Sequence, residues 1–410
     1  MLRPAPPRTP FALPLRRRRR SRGTREAAWV LLVAVLSGLL VTARFDGPER
    51  LAPGDTYWYL LRAQTLAGTD PATAARTASA LMCRDINRAS RAAGARPTCR
   101  NYDTSRISPR YAAIFDSRPG YPMVAAPFVA AFGPWRGMVA ATLALGVLTS
   151  LLAYAAVRMA SGVPLAGAVA AVSLLLLPSG LWITRLLAEG MVAAGCLGVI
   201  IGVTAVWRRG RRWGWPVIAG ALAWTFAAKP SNGAALAGAL VATGLILAVR
   251  AARPARRRAV AVAGLGTAFL AAWFALAAAL GLPGLTETIQ DYATRHFRRP
   301  DIDDPLRFLV NRNRDLWGDR LDDLAVSPGP LVLTVSAVAV LVFTLRAVGL
   351  LWGAVGATGL VVVAVHPMAA QYDRLVGPVW LPVAAAVGLA VASVLHRPTA
   401  TDSATGPPGR

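Results

Sequence analysis

The chain has 410 residues, of which 55% are hydrophobic, and its mean hydropathy is +0.46. These values exclude an ordinary soluble domain, because the apolar residues form long runs rather than the alternation of half-buried strands. The formal net charge is +25. Because this charge is sorted between loops, as described next, it indicates a membrane topology signal, and we expect no nucleic-acid partner.

Ten apolar segments approach the length of about 20 residues that a bilayer span requires. They are 28–43, 137–157, 164–183, 189–207, 214–229, 232–249, 259–281, 329–346, 349–366 and 375–395. The sequence therefore predicts an all-α, polytopic membrane protein of about ten transmembrane helices, with large extracytoplasmic loops at about 44–136 and 282–328. Residues 1–27 are predicted to be a cytoplasmic Arg-rich tail, 28–396 a transmembrane domain and 397–410 a disordered cytoplasmic tail.

The placement of arginine orients these spans. The run RRRRRSRGTR at 16–25 precedes the first span, and the short loops on that side hold no acid, whereas 18 of the 20 acidic residues fall on the other side. The arginines of those short loops lie at 158, 208–212, 250–258 and 346. By the positive-inside rule, both termini are cytoplasmic. The segment VTA at 41–43 also resembles a signal-peptide cleavage site, which is an alternative interpretation of the first span.

Polar residues that are hard to explain by packing all fall on the predicted extracytoplasmic side. Asp55 lies in the first large loop, Glu189 begins the fourth span, and Lys229, the only lysine, ends the fifth. The later outer loops add Arg295, His296, Arg298, Tyr372 and Arg374. Charges near membrane depth are costly and therefore indicate a functional site.

An acid that stands apart from several cations suits transfer from a phosphate-bearing donor. A hydroxyl nucleophile needs a base such as a carboxylate, and a phosphate leaving group needs cations. Tyr57 and Tyr59, beside Asp55, suit either a sugar face or an interfacial aromatic belt. Lys229 could equally snorkel to the interface, and Arg374 could pair with Asp373. The loop arginines could contact only lipid headgroups.

Three stretches resemble motifs of the GT-C superfamily, polytopic glycosyltransferases that use polyprenyl-phosphate sugars. They are GDTYWYLLRAQTLAG (54–68), SRPGYPMVAAPFVAAFG (117–133) and YDRLVGPVWLPVAAAVGLA (372–390). The resemblance, which is to the protein-mannosyltransferase-like members, implies a GT-C-like transmembrane domain with Asp55 as the catalytic base or the residue that orients the acceptor. Donor phosphate contacts are expected from Lys229, Arg374, Arg295 and Arg298, and other substrate contacts from Tyr57, Tyr59, Glu189, His296 and Tyr372.

The predicted function is therefore transfer of a hexosyl or pentosyl group from a polyprenyl-phosphate donor to an extracytoplasmic hydroxyl. A single displacement would invert the configuration of the sugar. The expected partners are this donor, a cell-envelope glycan, lipid or protein acceptor, and membrane lipids. No definite cofactor is predicted; use of a divalent metal is left open, because Thr56 stands where many relatives carry Glu. A transporter or lipid flippase, and a catalytically inactive GT-C-like assembly partner, are the alternatives.

Two of the three cysteines are predicted to form a disulfide. Cys83 and Cys99 both fall in the first outer loop, in an oxidising compartment if the topology holds, and are 16 residues apart. Cys196 lies inside a span and is expected to be a small core residue. The cysteines show no metal-type spacing such as CxxC, and no metal ligand is assigned.

Overall fold

The computed structural model describes residues 15–45, 47, 49–102 and 108–395, so the predicted tail at 397–410 lies outside the described residues. Regular structure in these ranges is helical, without a β-strand. The first nine helices are α1 (Leu15–Phe45), α2 (Thr56–Leu66), α3 (Pro71–Ala92), α4 (Pro109–Asp116), α5 (Gly120–Phe132), α6 (Pro134–Ser161), α7 (Pro164–Leu176), α8 (Pro178–Ile183) and α9 (Glu189–Arg209). The others are α10 (Gly214–Ala228), α11 (Pro230–Arg250), α12 (Arg253–Leu280), α13 (Leu285–Ala293), α14 (Pro305–Val326), α15 (Gly329–Leu345), α16 (Ala347–Val365), α17 (Tyr372–Leu375) and α18 (Trp380–Leu395).

Seven helices in the described ranges are long and apolar enough to cross a bilayer, or eight if α14 and α15 together form one span bent by 91°. The protein is therefore an all-α, multi-pass membrane protein, and the predicted fold class is confirmed. The predicted number of ten spans exceeds the number that meets these criteria. In addition, α1 begins at Leu15, inside the predicted tail 1–27.

Prolines explain two of the differences in span number. Pro178 divides the predicted span 164–183 into α7 and α8, because proline cannot continue a helix and holds the preceding Leu177 in an extended conformation. Pro230 acts in the same way on Lys229, so α10 ends after 15 residues. The predicted span 329–346 corresponds to α15, which has 17 residues and follows the sharp bend after α14.

The centre of the bundle is α9, whose residues are almost all buried. It packs closely against α10 through small residues: a Cβ atom on Gly202 would lie 2.8 Å from the carbonyl oxygen of Gly214. Close approach through glycine and alanine is the usual way in which transmembrane helices associate, since lipid is as apolar as their side chains. This packing fixes the position of α9, the helix that begins at Glu189.

The described part of the loop between α1 and α6 is largely helical. Asp85 of α3 is buried and accepts hydrogen bonds from the backbone N–H groups of Leu51, at 3.4 Å, and Ala52, at 3.0 Å. Arg88 also donates to this carboxylate, at 3.0 Å. The chain immediately before Asp55 is thereby attached to α3. Cys83, on the same helix, forms a disulfide with Cys99.

The arginines at the predicted cytoplasmic side bind helix ends. Arg209 donates to the carbonyl of Met159 at 3.0 Å, and Arg258 donates to that of Trp207 at 3.1 Å. Carbonyls near a helix C-terminus lack intrahelical partners and attract cations. Part of the positive charge therefore stabilises helix termini.

Candidate functional site

Four charged side chains meet beside the loop between α1 and α6. Arg374 donates from Nη2 to Asp55 Oδ2 at 2.6 Å and from Nε to Glu189 Oε1. Lys229 Nζ lies 2.5 Å from the same Glu189 oxygen. The sequence singled out all four residues, and the fold brings them into one ion-pair cluster, in which Asp55 is partly buried and the other three are buried.

Local structure explains how each group reaches this point. Asp55 is the N-cap residue of α2, yet its side chain makes no capping hydrogen bond and turns to Arg374 instead. Aspartate at this position usually accepts a hydrogen bond from the first helical turn, so the departure favours a role in the cluster. Lys229 occupies the extended break between α10 and α11, Glu189 begins α9, and Arg374 lies in the single turn of α17.

The environment of Asp55 keeps its carboxyl group ionised. Burial by itself would raise the pKa, but the positive charges of Arg374, Lys229 and Arg118 outweigh this effect and hold the pKa of Asp55 well below its usual range. A carboxylate with so low a pKa is a strong partner for cations and a weak acceptor of protons.

A cavity of about 910 Å³ opens beside the cluster. Its inner, polar end includes Asp55, Lys229 and Arg374, and its longer wall is formed by apolar residues of α11, α12 and α16. The polar lining residues besides the cluster include Tyr111, Arg118, Asn232, Asp291, Tyr292, Arg295, His296, His366 and Gln371. Few polar groups in a mostly apolar cavity are typical of a site for a small molecule or lipid.

Arg118 gives this end of the cavity an excess of positive charge. The four-residue cluster contains two acids and two cations and is therefore balanced. The Arg118 guanidinium lines the cavity, stacks over Phe115 at 5.2 Å and makes no ion pair with an acid among the described residues. It is thus available to an anionic ligand.

The predicted residues of the second outer loop are divided between the cavity and the surface. Arg295 and His296 line the cavity. Arg298 is exposed and is not among the described lining residues. Tyr372 also lies away from the lining: its ring contacts Trp317, with centroids 6.3 Å apart, and Arg320 stacks on it at 4.6 Å.

Tyr57 and Tyr59 lie in the packed core. Their exposed fractions are 3% and 0%, and neither is among the described lining residues. The Tyr59 ring packs edge-on against Tyr121 at 5.3 Å, and Tyr57 lies 5.7 Å from Tyr102. These contacts hold α2 against α5 and the chain before α4, so the rings position Asp55 through packing.

Sequence reasoning assigned no role to several of the lining residues. Arg118 was one arginine among many, although it directly precedes the Pro-Gly-Tyr-Pro segment at 119–122. Asp291 precedes His296 by five positions, a spacing that matches no standard motif. His366 directly follows α16 and lines the cavity.

The donor set of the cluster does not fit a divalent metal. Asp55 and Glu189 are already paired with Arg374 and Lys229. Within the described ranges, no three His, Cys, Asp or Glu side chains are grouped as ligands. Hard divalent cations require several oxygen ligands, so we derive no step through a metal.

Comparisons with models of protein families, with curated proteins and with solved structures found no match. The resemblance to the GT-C superfamily therefore rests on the three sequence motifs.

Proposed function

We propose that this protein is a membrane glycosyltransferase that moves a sugar from a polyprenyl-phosphate donor to an extracytoplasmic hydroxyl acceptor. The observation that carries this proposal is the cavity, which combines a long apolar wall with a cationic inner end. A lipid phosphate has the same two parts.

The apolar wall suits an isoprenoid chain. It contains Ala235, Ala239 and Ala242 on α11, and Trp273 and Phe274 on α12. Small side chains leave room beside α11, while the larger rings provide contact area for burial. A bound lipid chain could thus lie against helices that also face the bilayer.

The cationic end suits the phosphate of the same donor. Arg118, Lys229 and Arg374 all line it. Negative charge develops on the leaving phosphate as its bond to the sugar breaks, and fixed cations in a water-poor site stabilise that charge. Glu189 holds Lys229 and Arg374 in place through ion pairs.

Asp55 supports the reaction at the acceptor side. In this proposal the acceptor oxygen attacks the anomeric carbon from the face opposite the phosphate, and the polyprenyl phosphate departs with the electron pair of the broken C–O bond. A single displacement of this kind inverts the configuration. Asp55 accepts a hydrogen bond from the acceptor hydroxyl and so orients it, while retaining Arg374 near the phosphate.

We also propose that the cavity faces the extracytoplasmic side, with both termini in the cytoplasm. Two independent observations support this orientation. Arg158 and the arginine-rich stretches at 208–212 and 250–258 follow the positive-inside rule. The Cys83–Cys99 disulfide lies in the same loop as α4, which lines the cavity through Tyr111, and disulfides persist in oxidising compartments.

Deletion of the gene tests the proposal. We expect one lipid-linked sugar to accumulate and one envelope glycan, glycolipid or glycoprotein to lose that sugar, with both changes reversed by the wild-type gene. If the protein were a flippase, its deletion would instead leave the lipid-linked sugar on the wrong leaflet, and the wild-type protein would release no polyprenyl phosphate. An inactive partner would show no release of polyprenyl phosphate when purified. Either result would reject the glycosyltransferase proposal.

A further inference from the structure

A histidine and an aspartate form a hydrogen-bonded pair on the outer wall of the cavity. His296 Nδ1 lies 3.0 Å from Asp291 Oδ1. Asp291 is buried, whereas the His296 side chain is 49% exposed and lines the cavity. With Nδ1–H donating to the carboxylate, Nε2 carries a free lone pair, and this nitrogen has no hydrogen-bond partner among the described residues.

The backbone that presents this imidazole is strained. Arg295, His296 and Phe297 have φ angles of 54°, 63° and 57°, which residues other than glycine rarely adopt. The turn is retained by hydrogen bonds from His296 N–H to the carbonyl of Asp291, at 2.8 Å, and from Phe297 N–H to Thr294 Oγ1, at 2.9 Å. Strain that surrounding contacts maintain is concentrated at functional sites.

The groups around His296 connect it to the proposed reaction centre. Its ring lies 4.4 Å from that of Tyr111, on α4. Tyr111, Asp55 and Asp291 line the same cavity as His296. The other titratable or charged groups that line the cavity, besides the ion-pair cluster, are Tyr292 and Arg295 from its own segment, Arg118 from the chain after α4, and His366, which follows α16.

Asp55 is poorly suited to remove the proton of the acceptor. Its carboxylate is held by Arg374 and by the nearby charges of Lys229 and Arg118. A proton acceptor works best when its basicity is near the working pH, and an imidazole oriented by a carboxylate is a common solution. His296 and Asp291 supply that arrangement on the wall of the same cavity.

We propose that His296, oriented by Asp291, accepts the proton of the acceptor hydroxyl during sugar transfer. This inference rests on the proposed function. The acceptor oxygen forms a bond to the anomeric carbon, the bond from that carbon to the phosphate oxygen breaks, and its electron pair leaves with the polyprenyl phosphate. The hydroxyl proton moves to His296 Nε2, which makes an imidazolium that Asp291 stabilises. Asp55 orients the hydroxyl and holds Arg374.

The test uses the purified protein in lipid nanodiscs with the lipid-linked sugar that accumulates in the deletion strain. We expect His296→Ala to reduce release of polyprenyl phosphate by about 100-fold or more, the usual effect of losing a proton acceptor. Added imidazole should restore part of the rate to this variant and none to Asp55→Asn. Asp291→Asn should lower the maximal rate more than it changes the KM for donor. Arg314→Ala, at an exposed arginine of α14 outside the cavity lining, is the control and should retain the wild-type rate.

Three outcomes would overturn the inference. The first is a wild-type rate in His296→Ala. The second is a reduced rate in that variant that imidazole does not restore, although polyprenyl monophosphate still binds and the melting temperature is unchanged. The third is a wild-type rate in Asp291→Asn. If His296→Ala fails to fold, His296→Gln replaces it, and retained wild-type activity there would have the same meaning. Failure of the proposed function itself has a separate signature, since the wild-type protein would then release no polyprenyl phosphate.

Discussion

Asp55 and Arg374, 319 positions apart in the chain, form an ion pair at 2.6 Å at the inner end of the cavity. Arg374 also binds Glu189, which binds Lys229. Charges of this kind are costly to bury and are retained only when they are well paired. The pair therefore joins the loop before α2 to the start of the last span, and it sets the geometry on which the proposed function depends.

Replacement of Asp55 should abolish transfer without unfolding the protein. Asp55→Asn retains the shape of the side chain but removes the charge that orients Arg374, and we expect the transfer rate to fall at least about 100-fold. Asp373→Asn is a matched control, because Asp373 is exposed and adjacent to Arg374. Release of polyprenyl phosphate from the donor measures both. Equal activity in Asp55→Asn and wild type would exclude this role.

Arg118 should contribute to donor binding. Arg118→Ala removes a cation that has no acidic partner in the described chain, and hydrogen bonds to charged groups are worth about 1.5–3 kcal/mol. The KM for donor should therefore rise about 10- to 100-fold, with little change in the KM for acceptor. Arg136→Ala, at an exposed arginine, is the control. An unchanged KM for donor in Arg118→Ala would locate the phosphate elsewhere.

Glu189 should stabilise the cluster more than any single cation in it. Glu189→Gln leaves Lys229 and Arg374 with Asp55 as their acid, and removing one partner of a buried pair costs about 3–5 kcal/mol. The double variant Glu189→Leu with Lys229→Met leaves one acid and one cation, so its stability should recover. Melting temperatures of the detergent-solubilised variants test this. A double variant that is no more stable than Glu189→Gln would contradict the charge-balance argument.

The sequence predicted those features of the site that depend on neighbouring residues, and it could not predict those that depend on contacts between segments far apart in the chain. Apolar runs predicted the helices, and Asp55, Glu189, Lys229 and Arg374 were conspicuous because charges are rare at span ends. Their mutual contacts depend on how α2, α9, α11 and α17 pack, which no local pattern encodes. The motif at 54–68 directed attention to Tyr57 and Tyr59, but these rings are buried in the core.

Arg118 and Asp291 illustrate what local patterns could not identify. The chain is rich in arginine, so the charge of Arg118 carried no distinguishing signal. Asp291 acquires its relationship to His296 through a left-handed turn at 295–297, a conformation that the residue types there do not predict. Conversely, Arg298 belongs to the same basic stretch and lies outside the cavity lining.

The disulfide should protect the first outer loop. A closed loop of this length removes chain entropy from the unfolded state worth about 3 kcal/mol. Replacing Cys83 and Cys99 by serine, or reducing the wild-type protein, should lower the melting temperature. Reduction should have no further effect on the double serine variant, whereas Cys196→Ser, which retains the disulfide, should respond to reduction as the wild type does. Thiol labelling of intact cells provides the complementary measurement. If Cys83 and Cys99 reacted without prior reduction, the disulfide and the extracytoplasmic orientation would both be in question.

The stabilising effect of the Asp55–Arg374 pair should not vary between pH 5 and 8. The folded-state pKa of Asp55 is lowered, so its contribution is fully present above the unfolded-state value of about 3.9 and is lost only as the pH falls toward the folded-state value. The difference in melting temperature between wild type and Asp55→Asn should therefore be constant over that interval. A difference that disappears on lowering the pH from 8 to 5 would show that Asp55 titrates there.

The most direct test of the central claim is the release of polyprenyl phosphate by the purified protein in nanodiscs, supplied with the lipid-linked sugar and the acceptor fraction from the deletion strain. We predict that the wild-type protein releases polyprenyl phosphate in proportion to the sugar that reaches the acceptor. Asp55→Asn should release less than about 1% of that amount, the loss expected for a group essential to transition-state stabilisation. Absence of release by the wild-type protein, or equal release by Asp55→Asn, would contradict the account.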